Sequence, residues 1–427
     1  MRQRNFIQVF EYQKLRYEEN SDFEEHHFDA MVHFNEKNNN KYFNVIHRGI
    51  QFNNYVGVIQ IGGLTIEILP KVDRDSSNSE HQKIVWQSVL LNMLKVCKHI
   101  NVDNVSESNL KKRSNSILEV YFEMYLDEID GLIKRGLIKK YRRVQSNQLA
   151  LKGNLVFSQN IQKNIVHKER FYCEHQVYDK EHLLNLILFK GLLILKGLLN
   201  NNLRDKLNRI LFEFKDFKEV EIKSNHFDKI KFRRKNLPYL KALEIAKMII
   251  LNYSPNLNSG NTNMLTLLFD MNMLWEEYIF RVLQKHKPES FTVSFQNKKD
   301  FWSNDIGTKT IRPDIVITKD ETDGSDSMFV IDTKWKIRSS ENPDDDDLKQ
   351  MFVYNLYWKA EKSLLLFPKT NQSDSSFGNY NYRSKRLLES KLEDLPNQCK
   401  LGFVNIVGPK GILPGEILAE EIFKKLD

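Results

Sequence analysis

At 427 residues the chain exceeds one ordinary hydrophobic core, and two or three domains are expected. A hydrophobic share of 41% against 28% charged residues describes a soluble globular protein, and no run of 18 or more apolar residues offers a membrane span. The formal charge of +8 is consistent with a polyanionic partner without requiring one. Three dispersed cysteines, Cys97, Cys173 and Cys399, contain no C-x-x-C pair and argue against a disulfide framework or a zinc site. Residues Met1 to Gln13 lack the apolar core of a signal peptide, so a cytoplasmic location is expected.

In chain order, Phe6 to Phe10, Tyr42 to Ile46 and Tyr55 to Leu69 read as strands. Gly62-Gly63 splits the last of these into a two-residue hairpin. Ile84 to His99 and Ile117 to Ile138 have helical periodicity. Leu183 to Leu199 is the most apolar segment and carries two lysines, which predicts a buried helix connecting two domains. Lys229 to Lys235 interleaves Lys229, Lys231, Arg233, Arg234 and Lys235 with one aromatic. Those five cations either contact phosphates or form a solvated face. Asn252 to Asn263, rich in Asn, Ser, Gly and Pro, reads as a linker. Met264 to Leu283 then predicts one amphipathic helix of about five turns that carries Glu276.

Arg312 to Ile317 and Phe329 to Lys334 read as short β-branched strands joined by a polar loop, with Asp332 eighteen residues after Asp314. The two-residue period of a strand turns Asp332 and Lys334 to one face, and Asp314 can meet Asp332 across the pair. Two carboxylates at the open end of a hairpin suit a hard divalent cation such as Mg²⁺, which takes one or two carboxylates and keeps waters. A solvated hairpin accounts for these residues equally well when they are taken alone. Downstream, Asp347 to Tyr354 begins a helix that puts Gln350 and Tyr354 on one face; Asp344 to Asp347 could be taken for a metal cluster, but they are better read as the N-terminal cap of that helix. Further strands are expected at Phe291 to Phe295, Ser363 to Phe367 and Leu401 to Val407. His26, His27 and His33 lack an H-E-x-x-H arrangement, and Cys173-Glu174-His175 lacks a second half. No Gly-Lys dipeptide occurs, so the chain has no phosphate-binding loop and any nucleotide must be bound by another chain.

Pro313-Asp314 and Asp332-Thr333-Lys334 resemble the motif of the PD-(D/E)XK nuclease superfamily, and the element order helix, three strands, helix, strand is similar to its αβββαβ core. Within it the chain resembles the McrC family of McrBC modification-dependent restriction systems. The matching segments are Gly62 to Lys71, Arg135 to Tyr141, Leu151-Lys152-Gly153, Asp179 with Leu184 to Leu188, Arg234 to Ala246 and Met271 to Glu276. Trp275, Lys152, Asn154 and Lys349 depart from the family pattern, but none of them is Asp314, Asp332 or Lys334.

The resemblance implies an α+β multidomain protein with a β-containing, partner-engaging domain over 1–165, a helical connector over 166–255 and a nuclease domain over 256–427. It implies Mg²⁺, with Mn²⁺ as a substitute, held by Asp314, Asp332 and the Thr333 carbonyl. Lys334 would orient or help deprotonate a water, Glu276 would complete the acidic cluster, and Gln350 and Tyr354 would support it. The implied partners are a McrB-like AAA+ GTPase hexamer and double-stranded DNA bearing modified cytosine. A fragment from about residue 255 onward is expected to keep the nuclease fold. Two other functions share parts of this pattern: a freestanding RecB-like repair nuclease, and a non-catalytic activator of an AAA+ motor.

Overall fold

Apolar residues crowd positions 55–69 and give two strands, Tyr55–Ile61 and Leu64–Leu69, paired antiparallel across Gly62-Gly63. Gly62 adopts a left-handed φ of +54°, which a residue with a Cβ adopts only under strain. The computed structural model describes residues 5–70, 79–99, 117–199, 203–254, 263–305, 307–320, 326–336, 342–369, 372–380, 397–409 and 411–426. The chain forms two compact units. One joins Met1–Val102 to Leu268–Asp427, and the other is Asp103–Leu267. This partition differs from the three consecutive segments expected, because the first hundred residues pack with the last hundred and sixty rather than with the middle.

In the first unit, Asn5–Phe10 lies parallel to Leu64–Leu69. A second sheet has the strand order Phe291–Phe295, Ile315–Asp320, Asp326–Thr333, Lys362–Pro368, Gln398–Val404 and Gly378–Asn379. Ile315–Asp320 runs antiparallel to both of its neighbours, Phe291–Phe295 and Asp326–Thr333, while Asp326–Thr333, Lys362–Pro368 and Gln398–Val404 are parallel. A parallel pair needs a crossover, which the helix Asp345–Trp358 supplies between two of these strands. Met351, Tyr354 and Trp358 of that helix share a buried cluster with Val316, Val330, Leu365, Phe367, Leu401 and Phe403. Burying each such side chain contributes about 1.5–3 kcal/mol, so this face of the sheet is fixed in register and orientation. The helix Met271–His286 is tied to the helix Glu80–Val96 by Asn92 donating to the Tyr278 hydroxyl at 3.4 Å. Trp335 donates through Nε1 to the buried Glu11 at 2.7 Å, binding the N-terminal segment to the Asp332 strand.

The single helix expected over Met264 to Leu283 is two elements, a strand Met264–Asp270 and the helix Met271–His286. Asp270 makes the break, since its carboxylate accepts from the amides of Asn272 and Met273 as an N-cap. The apolar run before it satisfies either period, and pairing into a sheet decided in favour of the strand. A hairpin unread in the sequence, Lys299–Asn304 with Gly307–Ile311, is inserted before the Asp314 strand. Most of the linker expected at Asn252 to Asn263 lies outside the described residues.

The second unit packs the helices Ile117–Arg135 and Leu183–Leu198 against Leu240–Leu251 and also contains a sheet in which Lys140–Gln148 pairs antiparallel with Phe171–Asp179. Leu183–Leu198 is buried as expected but lies within this unit, where Tyr125 donates to the Leu188 carbonyl at 2.8 Å. Among the described residues no helix is long and apolar enough to cross a membrane.

Candidate active site

Ile315 pairs with Ile331 and Val316 with Val330, so the next step toward the open end of the sheet sets Asp314 beside Asp332. Strand alternation gives both carboxylates the face of Val316 and Val330, which the Asp345–Trp358 helix covers. Thr333 clamps Asp314, donating through its amide at 2.7 Å and its hydroxyl at 3.0 Å to Oδ2. Asp332 is 2% exposed and receives Gln350 Nε2 on Oδ1 at 3.3 Å. The Lys334 ammonium stands 2.8 Å from Asp332 Oδ2 as an ion pair, but that buried oxygen accepts no aligned hydrogen bond. Lys334 also meets Asp347 at 3.3 Å and donates to Gln350 Oε1 at 3.3 Å. Gln350 donates to the Tyr354 hydroxyl at 2.8 Å, and Tyr354 donates to the Arg312 carbonyl at 3.0 Å.

Glu276, half-buried on its own helix, accepts from Gln296 Nε2 at 2.6 Å rather than touching either aspartate. It still acts on them electrostatically. Burial and the neighbouring Glu276 charge raise the Asp314 carboxyl to about 6. Burial and the Asp314 charge raise Asp332 to about 7. Glu276 is itself raised, chiefly by burial. For Lys334, burial pulls downward but Asp332 and Asp347 outweigh it, and the ammonium is held above its ordinary value. Crowded carboxylates that resist ionisation, all hard oxygen donors, with one buried oxygen left without an aligned donor, fit a divalent cation. Among the described residues no three His, Cys, Asp or Glu side chains converge as a ready-made metal cage. The groups that could hold such a cation are the aspartate pair, with Glu276 behind it.

The structure thus brings together Asp314, Asp332, Thr333, Lys334, Gln350 and Tyr354, and sets Glu276 one hydrogen-bonded step away. Two contributors went unread. Gln296 holds Glu276 with its side chain and the Asp314 carbonyl with its amide at 2.9 Å, and its φ of +48° lies in the left-handed region. Asp347 faces the site and pairs with both Lys334 and Lys336, at 3.3 and 3.0 Å. Its place three residues before Gln350, on the same helical face, was the available signal. Asp344 holds the N-cap position but its side chain makes no capping bond and instead meets Lys336 at 2.7 Å. Lys229, Lys231, Arg233, Arg234 and Lys235 are exposed in the second unit, just beyond the short helix Ser224–Asp228.

No curated protein matches the chain. Its fold is similar to that of a chain in the refined half-complex from a tetradecameric assembly of Thermococcus gammatolerans McrB AAA+ hexamers with bound McrC. That match has a TM-score of 0.67 and 18% identity, and covers 99% of this chain and 100% of that one. A chain of the cryo-EM structure of the Thermococcus gammatolerans McrBC complex aligns with a TM-score of 0.48 and 20% identity, over 67% of this chain and 89% of that one. The family model of the McrBC 5-methylcytosine restriction system component matches residues 50–368, three quarters of the sequence and the whole aspartate–lysine site, and the chain belongs to that family.

Proposed function

We propose that this chain is the DNA endonuclease subunit of a McrBC-type modification-dependent restriction system, with a PD-(D/E)XK nuclease domain in its first unit. The observation that carries the reading is the buried Asp314–Asp332 pair with Lys334 against it, inside the matched region. Asp314 and Asp332 would hold Mg²⁺, or Mn²⁺ in its place, with the Thr333 carbonyl as a further ligand. The cation supplies Lewis acidity toward water and toward the scissile phosphate. Lys334, kept protonated by Asp332 and Asp347, orients the attacking water and offsets negative charge that builds on phosphorus. Gln350 bridges Lys334 and Asp332 and fixes their separation, and Tyr354 fixes Gln350.

The proposal extends to an AAA+ GTPase partner of the McrB type, as the Thermococcus gammatolerans assembly contains, because this sequence has no phosphate-binding loop of its own. Recognition of modified cytosine in double-stranded DNA belongs to that partner, in the cytoplasm. Exposed Leu149, Leu151, Phe157, Ile161, Ile165 and Val166 give the second unit an apolar surface suited to a protein contact. A freestanding repair nuclease would share the acid pair but not the family match over 50–368.

The test combines the purified chain with its AAA+ partner, GTP, Mg²⁺ and either methylated or unmethylated plasmid. Cleavage confined to methylated DNA and to the complete mixture is expected. Cutting by the isolated chain without nucleotide would favour the freestanding nuclease, and no cutting by a complex that hydrolyses GTP normally would favour the non-catalytic activator.

A further inference from the structure

The hairpin Lys299–Asn304 with Gly307–Ile311 is planted on the rim of the acid site. Its first foot is Gln296, whose amide donates to the Asp314 carbonyl at 2.9 Å and whose side chain donates to Glu276 at 2.6 Å. Its second foot is Arg312, whose carbonyl accepts the Tyr354 hydroxyl at 3.0 Å, two residues before Asp314. Any phosphodiester seated at Asp314 and Asp332 therefore has this hairpin at its side.

Every residue of Lys299–Asn304 is exposed, and so is the returning strand as far as Thr310. A two-stranded ribbon open on both faces gains little from burial. It nevertheless carries Phe301 and Trp302, 48% and 53% exposed. A bulge between Asp300 and Trp302 separates their roles: the Phe301 ring packs against Tyr357, with centroids 5.7 Å apart, and Trp302 lies opposite Lys309 in the register. Trp302 has no ring partner, and Lys309 no ion-pair partner, among the described residues. From Lys298 to Arg312 four cations face two carboxylates.

We propose that this hairpin enters a groove of duplex DNA beside the scissile phosphate, with Trp302 against the base pairs and Lys309 on the backbone; the proposal rests on the nuclease reading above. The major groove admits a two-stranded ribbon, and apolar side chains contact or wedge between bases. Strands of this length reach on the order of 17–20 Å at about 3.3 Å per residue, which spans roughly five base-pair steps. A single free tryptophan set among lysines matches the stacked faces and charge of DNA better than the contiguous apolar patch of a protein interface.

The experiment measures binding of a labelled duplex oligonucleotide by the full-length chain in chelator, so that no cutting intervenes, for Trp302→Ala, Trp302→Phe and Lys309→Ala. Trp302→Ala should weaken binding about tenfold, the scale of one lost aromatic–base contact, and Trp302→Phe should recover most of it. Lys309→Ala should reduce the slope of log affinity against log salt by about one. In the complete complex, Trp302→Ala should raise the DNA concentration needed for half-maximal cleavage and leave stimulation of the partner's GTPase unchanged. Wild-type affinity and salt slope in these variants would overturn the hairpin proposal while leaving the nuclease reading intact, as would lost GTPase stimulation with DNA binding unchanged, which would reassign the hairpin to a protein contact. If the wild-type chain bound DNA but never cut it, and Trp302→Ala still lost affinity, the nuclease reading would fail and the hairpin would stand. Absence of any DNA binding by the wild-type chain would remove both.

Discussion

Burial and neighbouring carboxylates raise Asp314 and Asp332 above the ordinary carboxylate range, and on the nuclease reading proposed above a bound cation would favour their ionised forms. Replacing either with Ala should reduce cleavage a thousandfold or more, since a charge-stabilising contribution of several kcal/mol is lost at the transition state. Single-turnover assays with Mg²⁺ check this, and near wild-type rates in either variant would remove the site assignment. The pH dependence follows from the raised values of about 6 and about 7. An unfolded aspartate titrates near 3.9, so between that pH and 7 the folded, metal-free protein binds more protons than the unfolded chain. Its extra stability is fully present below about pH 4 and is lost as pH rises through 6 to 7. Thermal melts in chelator at pH 5 and pH 8 should therefore show a drop for wild type and a smaller one for Asp332→Asn, whereas Mn²⁺ affinity should rise over the same interval. Lys334→Ala should lose cleavage but bind Mn²⁺ at least as tightly as wild type, because it removes a cation 2.8 Å from Asp332. Much weaker metal binding in calorimetric titration would make the lysine a support for the acid pair instead.

At the scale of elements, the Asp345–Trp358 helix does two jobs through one face. Met351 and Trp358 bury against the sheet while Asp347, Gln350 and Tyr354 line the acid site, so the packing that stabilises the helix also sets its polar contacts. A comparable dependence explains Leu151-Lys152-Gly153 in the second unit. Gly153 has φ of +73°, and a Cβ there would lie 2.3 Å from the Glu174 carbonyl, where Asn154–Leu155 joins Phe171–Asp179. Gly153→Ala should destabilise this unit by about 2–4 kcal/mol, combining left-handed strain with a backbone clash. The expected readout is a lower melting temperature for this variant with wild-type behaviour for Gly131→Ala, where a Cβ meets open space. Equal melting of the two would contradict the clash. The strands beside Asp314 and Asp332 were readable because consecutive residues, Ile315 to Ile317 and Phe329 to Ile331, are buried on both faces and so form continuous apolar runs. Lys140–Gln148 was not readable, since its residues are exposed or only part-buried and all but Tyr141 and Val144 are charged or polar.

For the whole molecule, the first unit is assembled from both ends of the chain. Trp335, one residue after Lys334, bonds to Glu11, and its ring lies 5.3 Å from Trp275. The Met271–His286 helix rests on Glu80–Val96. A fragment beginning near residue 255 therefore leaves Trp335 and Tyr278 without their N-terminal partners Glu11 and Asn92, and the expectation that it keeps the nuclease fold is replaced by its opposite. Such a fragment should show no cooperative thermal transition and should aggregate, while the full chain melts cooperatively. A sharp transition for the fragment would show that the C-terminal sheet holds without residues 1–102.

Sequence alone determined the strands Ile315–Asp320 and Asp326–Thr333, which hold Asp332 and have Asp314 and Lys334 at their ends, the Gln350 helix, and the resemblance that the family match over 50–368 bears out. Those features depend on neighbours a few residues apart, where side-chain period and helix face dictate which groups meet. Tertiary structure decided the rest. Whether Met264 to Asp270 became strand or helix depended on what lay beside it, since an apolar run satisfies both periods. That Glu11 bonds Trp335 and that Gln296 ties Glu276 to the backbone of Asp314 both join residues whose pairing follows from packing in three dimensions. Buried polar groups must find partners wherever the fold brings them, and no spacing in the chain names those partners in advance.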